Sequence, residues 1–459
     1  MYKITQIVFL SIFLSSCATE KNSAIEADYI VENVNIIAMD KPVAINNMAL
    51  AIYKNKIIAI VDQSKAHRIK ATNRIDGNGR YLMPGLADMH VHVRWDPQVM
   101  FNLFLAHGVT TVANMRLTDG NGKIDHLKLR DQIASNEITG PRYLVSGVHL
   151  EDGFPATTAD IESILDDHQK NRIDFVKIHG DLDADIYNAV IAGAKQRGLK
   201  VIGHAQHNQP LKNSLTLDSL EHMEEILYVS RDTAFASNNQ ENFLSAYRAN
   251  VNHLFDSNYR RKVVKDIAAS GIYMDPTLIV YKMVGEWASD KHLAAMRNNP
   301  ELAYLPADVR EHWLSPATNP YQEEGFPITK TEVDKNLTLL FLLTKELHDA
   351  GVPLMTGTDT FGTLVPGLSL HQELKLFVEA GLTPFEALKC STVNVAAYLG
   401  EAGLAGVIQV GTRADFVLLD KNPLIDISNS QSVSGIYTRE QWFSRSDIKK
   451  LLKSAQALQ

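Results

Sequence analysis

Asp76-Gly77-Asn78-Gly79-Arg80-Tyr81-Leu82-Met83-Pro84-Gly85-Leu86-Ala87-Asp88-Met89-His90-Val91-His92 is the stretch on which the fold turns. Its Gly- and Pro-rich first half reads as a turn that launches an apolar run. That run ends in His90 and His92. In a β-strand, side chains at i and i+2 share a face, roughly 6.6 Å apart along the strand. Two imidazoles placed that way can grip one metal ion. A bare His-x-His pair is also met as ordinary packing, so its weight comes from the polar residues later in the chain. Lys177, His204, His222 and Asp359 each stand near the end of an apolar run of their own.

Outward from this stretch, residues 86–400 alternate strand and helix signals. The apolar runs at 86–93, 109–114, 142–148, 174–179, 200–205, 218–222, 272–277 and 353–359 predict eight strands, with helical stretches such as 184–197 and 339–350 between them. Eight such units are the count of a (β/α)8 TIM-like barrel, and fully apolar strands suit burial on both faces. The chain is therefore expected in the α/β class. Residues 29–85 and 401–440 carry shorter β-rich runs, expected to combine into one small composite β-sandwich domain. Two insertions interrupt the barrel: a polar one at 231–262, and one at 281–327 bearing Trp287, Tyr304, Trp313, Tyr321 and Phe326. The second reads as a partly helical cap over the barrel mouth or as a peripheral helical insertion. Residues 441–459 are expected to form a C-terminal helix.

The first sixteen residues stand apart from the fold. Lys3 precedes an apolar stretch, Ile7 to Leu14, too short to span a bilayer. It ends in Leu14-Ser15-Ser16-Cys17, which resembles the lipobox of bacterial lipoproteins. That resemblance implies a signal peptide over 1–17, a lipid-anchored Cys17, a tether over 18–28 and a body on the extracytoplasmic side of the envelope, at the outer membrane. The only other cysteine, Cys390, reads as a small core residue. With 45 Lys+Arg against 53 Asp+Glu the formal net charge is −8, which argues against a nucleic-acid partner, since that would want a basic face. A small-molecule substrate is the expected partner. The sequence is silent on oligomeric state.

Active sites of these barrels form at the C-terminal ends of the strands. His90, Lys177, His204, His222 and Asp359 all fall at those ends. With the motifs Val201-Ile202-Gly203-His204-Ala205, Ser219-Leu220-Glu221-His222, Thr356-Gly357-Thr358-Asp359 and Leu370-His371-Gln372-Glu373-Leu374, the chain resembles the amidohydrolase superfamily, in its imidazolonepropionase-like and prolidase-like branch. The resemblance implies a metal-dependent hydrolase of carbon–nitrogen bonds acting on a dipeptide or N-acyl amino acid. His90, His92 and Asp359 would hold one ion, and His204 and His222 a second. An ammonium at Lys177 would meet desolvation and like-charge repulsion there, so it must lose its proton. It can then take up CO2 to give a carbamate that bridges two ions, as similar binuclear members use that position. The expected cofactor is two Zn2+ bridged by N6-carboxylated Lys177, although manganese, cobalt or iron also suit the donors. Asp359 would be the catalytic acid–base in attack by a metal-activated hydroxide. His179 and Tyr228 are substrate-contact candidates. Should Lys177 instead neutralise a carboxylate, the site would be mononuclear, with His222 on the water. That arrangement resembles deaminases and cyclic-amide (imidazolone-like) hydrolases of the superfamily.

Overall fold

The computed structural model describes residues 24–117, 122–233, 240–322 and 328–457. The leader, the lipobox and Cys17 lie outside them. Four strands open the chain: β1 (Ile25–Ile37), β2 (Ala44–Tyr53), β3 (Lys56–Asp62) and β4 (Ile69–Pro84). The barrel strands come next as β5 (Leu86–Val91), β6 (Val109–Asn114), β7 (Arg142–Leu150), β8 (Phe175–Ile178), β9 (Lys200–Gly203), β10 (Ser219–Glu221) and β11 (Tyr273–Asp275). Three more close the chain: β12 (Phe416–Leu419), β13 (Val433–Thr438) and β14 (Gln441–Ser444).

Strands β5 to β11 pair in sequence order and all in parallel. The ring closes through residues 354–356. Leu354 bridges Met274, the Met355 N–H donates to the Met274 carbonyl (2.8 Å), and the Met89 N–H donates to the Thr356 carbonyl (2.8 Å). The expected eighth strand is thus a single bridge flanked by these bonds. Inside the ring Ala87, Met89, Ala113, Met115, Leu144, Phe175, Ile202 and Met355 form one apolar cluster that fills the barrel. Val91, Val93, Val112, Val145, Val176 and Leu220 belong to the shell packed against the helices. Inward parity therefore switches between Met89 and Val91, where the β5–β6 register also shifts. That shift turns His90 and His92 inward above the apolar filling.

The second sheet runs β14-β13-β12-β4-β1-β2-β3 and so joins both ends of the chain. Instead of two separately bonded layers it is one continuous ladder rolled on itself. The β3 edge reaches the chain leading into β12 through Ile57 N–H to Thr412 O (3.0 Å) and Ala414 N–H to Asn55 O (2.8 Å). The roll encloses Val31, Leu50, Ile52, Leu82, Phe416 and Tyr437.

Three boundaries differ from expectation. Residues 25–28, expected in the tether, belong to β1, where Ile25 pairs with Ile69. Residues 441–444, expected in the C-terminal helix, form β14 and pair with β13. Arg439 and Glu440 between them both take positive φ (53° and 65°), the backbone of a two-residue hairpin turn. The helix proper spans Arg445–Ala457. The run 407–410 forms no strand and is tied to the sheet edge by Ile408 N–H to Ala38 O (3.1 Å).

The polar insertion is helical over Gln240–Phe255. The aromatic one contains helices Leu278–Trp287, Asp290–Met296 and Ala307–Leu314. Phe326 lies outside the described residues. Trp287 is buried and meets the rings of Trp313 (4.6 Å), Tyr321 (5.5 Å) and Phe361 (5.3 Å). Phe361 stands two residues after Asp359, so the insertion packs at the barrel mouth. Among the described residues no helix is long and apolar enough to cross a membrane.

Candidate metal centre

Each of the six candidate ligands sits at or just past the C-terminal end of a barrel strand. His90 lies in β5 with His92 just beyond it; Lys177 lies in β8. His204 comes after β9, His222 after β10, and Asp359 after the bridge at Leu354. Two of the six take left-handed backbone, His222 (φ 67°) and Asp359 (φ 45°). Such conformations cost on the order of 1–3 kcal/mol for a side-chain-bearing residue and gather at functional sites. Here the backbone holds them: the His222 N–H donates to Asp275 O (2.8 Å) and the Asp359 N–H to His90 O (2.6 Å). Gly357 permits the approach, because a Cβ there would lie 2.3 Å from Asp275 Oδ2 and 2.6 Å from His90 Cβ.

The Asp359 carboxylate stands 2.8 Å from His92 Nε2 and 3.5 Å from His90 Nε2. Potential ligand atoms of His90, His222 and Asp359 lie within 4.8 Å of one another. The His204 ring is 4.8 Å from that of His222, which is 4.7 Å from that of His90. Lys177 Nζ is buried beneath them and has no hydrogen-bond partner among the described residues.

The Nδ1 atoms of His90 and His222 are already engaged. His90 Nδ1 is 2.6 Å from Glu221 Oε2, and since a carboxylate only accepts, Nδ1 carries the proton and Nε2 keeps its lone pair. His222 Nδ1 meets the Thr277 hydroxyl at 2.7 Å, a contact that fixes the orientation of the ring. Asp88 accepts from the Thr358 amide (3.0 Å) and hydroxyl (2.7 Å), pinning the Asp359 segment against β5. Glu373 accepts from the Leu278 and Ile279 amides, anchoring the cap helix beneath the mouth.

Burial, reinforced by Lys177, keeps His90 and His204 well below the usual imidazole range. Burial and His90 bring His222 to about 3. All three are therefore neutral, ligand-competent imidazoles. Burial also lowers Lys177 against the pull of Glu221, Asp359 and Asp275. Asp359 behaves oppositely: burial opposes its charge, but His90, His92 and His222 hold its carboxyl well below the ordinary range. Neutral nitrogens, an ionised carboxylate and an orphaned amine at one point are a donor set that fits divalent cations.

His179 lies at the rim, half exposed, 3.1 Å from Glu151 and stacked on His149 with centroids 4.3 Å apart. Its ring is 4.7 Å from that of His204, beside the cluster. Tyr228 stands farther out, stacked on Tyr247 (5.2 Å) and beside His207 (5.6 Å). The sequence pattern does not single out Glu221, Asp275, Thr277, Glu225 or His149 as members of the site. Glu225 bridges His207 (2.7 Å) and the Ala205 amide (3.1 Å), holding the loop after His204. Asp275 is fully buried with both carboxylate oxygens unpartnered among the described residues, and burial and Glu221 raise its carboxyl well above the usual range. An acid closing an apolar strand is the available signal for both Glu221 and Asp275.

A family model described as "Amidohydrolase family" matches residues 81–455. Ochratoxinase from Aspergillus niger is 39% identical over 89 residues, 19% of this chain and 18% of that protein. The aligned part thus spans less than a fifth of that curated relative. Among solved structures, bottromycin amidohydrolase superposes with a TM-score of 0.70 at 20% identity, covering 94% of this chain and 90% of that one. A Xaa-Pro dipeptidase with bound methionine superposes at 0.63 and 19% identity, covering 91% and 99%. At these identities the two structures speak for the fold.

Proposed function

The chain belongs to the amidohydrolase family, and on that premise we propose that it hydrolyses a carbon–nitrogen bond of amide type in a dipeptide or N-acyl amino acid. The observation that carries this reading is the convergence of His90, His222 and Asp359 above a buried Lys177 whose amine has no hydrogen-bond partner among the described residues. Under it, His90, His92 and Asp359 would hold one divalent ion and His204 and His222 a second, with Lys177, as its carbamate, supplying an anionic oxygen donor; zinc is the metal the donors suit. Charge supports the pairing: two dications against Asp359, a carbamate and a hydroxide leave a net +1. Bound there, the ions would supply Lewis-acid polarisation of the scissile carbonyl and of the attacking water.

The chain's own residues do the rest. Asp359, ionised among three imidazoles, accepts a proton from the water and passes it to the leaving nitrogen. Glu221 and Thr277 fix the orientations of His90 and His222. His179 at the rim contacts substrate, and Tyr228 lines the outer wall. Trp287, Trp313, Tyr321 and Phe361 shield one side of the mouth from water. The names carried by relatives, an ochratoxinase and a Xaa-Pro dipeptidase, are in keeping with amide-type substrates. The leader reading adds that the body is lipid-anchored through Cys17 on the extracytoplasmic side of the envelope.

The test is a screen of the purified body against dipeptides and N-acyl amino acids, with and without chelation. Hydrolysis that disappears on chelation and returns with metal is the expected result. Hydrolysis unaffected by chelation refutes the metal-dependent reading, and a single ion per active chain returns the mononuclear deaminase or cyclic-amide alternative.

A further inference from the structure

Another group of ligand-type side chains stands on the wall beside the centre. His149 in β7 and Glu151 just beyond it are an i, i+2 pair, the spacing that puts His90 and His92 on one face. Leu150 between them is buried against the helices, so both flanking side chains turn inward. The parallel neighbour β8 repeats the pattern, with Ile178 buried in the same shell and Lys177 and His179 on either side of it. Register pairs His149 with Lys177 and Leu150 with Ile178, which sets His179 beside Glu151. A ring nitrogen of each histidine and one Glu151 oxygen lie within 4.8 Å of one another.

The wall holds these groups in the state a cation needs. His149 Nε2 is 2.8 Å from the Met115 carbonyl, and since a carbonyl only accepts, Nε2 carries the proton and Nδ1 keeps its lone pair. The backbone beneath is fixed: Glu151 and Phe154 exchange N–H to carbonyl bonds of 2.8 Å, and the His179 N–H donates to Leu150 O (2.8 Å). The side chains of His179 and Glu151 are 44% and 47% exposed and 3.1 Å apart. The stacked rings of His149 and His179 lie within 13° of parallel, so their in-plane lone pairs run side by side. A turn of the half-exposed His179 ring about its Cβ–Cγ bond makes them converge. Two imidazoles and one carboxylate, with positions left for water, are a donor set that suits zinc at bonds of about 2.0–2.2 Å.

We propose that His149, Glu151 and His179 form a third divalent-cation site, weaker than the two at the centre, whose occupation stops turnover. Its weakness follows from exposure and charge. The ion has one carboxylate, and the loaded centre beside it is net positive, with the His204 ring 4.7 Å from that of His179. This ion therefore leaves on desalting while the central pair stays. Inhibition follows from the turn of His179, which takes the ring away from the position where it would contact substrate. The effect on turnover rests on the amide-hydrolase reading above; the binding of the ion rests on the wall geometry alone.

The test adds Zn2+ to the desalted, metal-loaded full chain, counting bound ions by equilibrium dialysis and following amine release from the best substrate of the screen. One further ion is expected to bind, with turnover falling in step. In Glu151→Gln the affinity for that ion falls at least about 10-fold, since a direct ligand matters no less than the outer partners of ligating histidines. The falling limb, scaled to each protein's own maximum, moves to correspondingly higher zinc, and the content of central ions is unchanged. No further ion on the unaltered chain overturns the proposal, as does one held equally by Glu151→Gln. Undiminished turnover with the further ion bound also overturns it. If that ion binds through Glu151 but no amide is cleaved at any zinc level, the site stands and the assigned reaction fails. If amides are cleaved and added zinc neither binds nor inhibits, the reaction stands and the site fails.

Discussion

Replacing Glu221 by Gln isolates what a buried carboxylate does for a neighbouring metal ligand. Glu221 Oε2 and His90 Nδ1 are 2.6 Å apart, with side chains 2% and 1% exposed. A hydrogen bond to a charged group is worth about 1.5–3 kcal/mol, and outer partners of ligating histidines typically govern about 10- to 100-fold in metal affinity. Gln keeps the volume and can still accept from Nδ1–H, but it removes the negative charge that makes His90 Nε2 a stronger donor. Metal dissociation constants, measured by competition with a chromophoric chelator, should therefore rise about 10- to 100-fold, or about 1.4–2.7 kcal/mol. The metal-free protein should not lose stability. Burial already raises the Glu221 carboxyl, so a neutral amide there relieves desolvation. An affinity within twofold of the unaltered protein would refute the reasoning. So would a large drop in metal-free stability, which would make Glu221 a purely structural residue.

Asp359→Asn should retain the fold by circular dichroism and abolish turnover; retained activity removes Asp359 from proton transfer. Trp287→Ala should destabilise the protein by about 3–5 kcal/mol in chemical denaturation, since it empties a fully buried site among Trp313, Tyr321 and Phe361; a loss under about 1 kcal/mol would show that the cap packs loosely. His371 is held at about 3 by burial and His107, between Ser430 Oγ (2.8 Å) and His107 O (2.9 Å). The folded protein keeps it neutral, whereas the unfolded chain takes up its proton near 6.5, so its contribution is complete above 6.5 and falls as pH drops toward 3. Its share of the loss is about 1.4 kcal/mol per pH unit below 6.5. His371→Gln should flatten denaturation midpoints over roughly pH 4–6.5, and an unchanged slope would count against the assignment.

Much of the barrel is legible in the sequence because its strands are short apolar runs closed by polar residues, and His90, Lys177, His204, His222 and Asp359 mark five of those closures. The eighth strand is the exception. Residues 353–359 have the composition of a strand, but only Leu354 bridges, because Asp359 takes left-handed backbone and Gly357 is pressed against Asp275 and His90. The strand containing His149 runs two residues beyond its apolar signal, which hides the His149–His179 stack from sequence reading. Glu221 and Asp275 are visible as acids ending apolar strands, yet their roles depend on neighbours remote in sequence; Glu221 and His90 are 131 positions apart. At the sheet domain, the runs within 29–85 read as separate short strands, whereas Asn33 (φ 52°) lets one long β1 bend and the ladder roll on itself.

The proposed function rests on two cations that would share Lys177 as its carbamate. Elemental analysis of the protein purified with bicarbonate and metal tests it most directly. Two ions per chain are expected, falling to one or none in Lys177→Ala while His222 and Asp359 remain. Two ions retained by Lys177→Ala, or no metal in the unaltered protein, would contradict it.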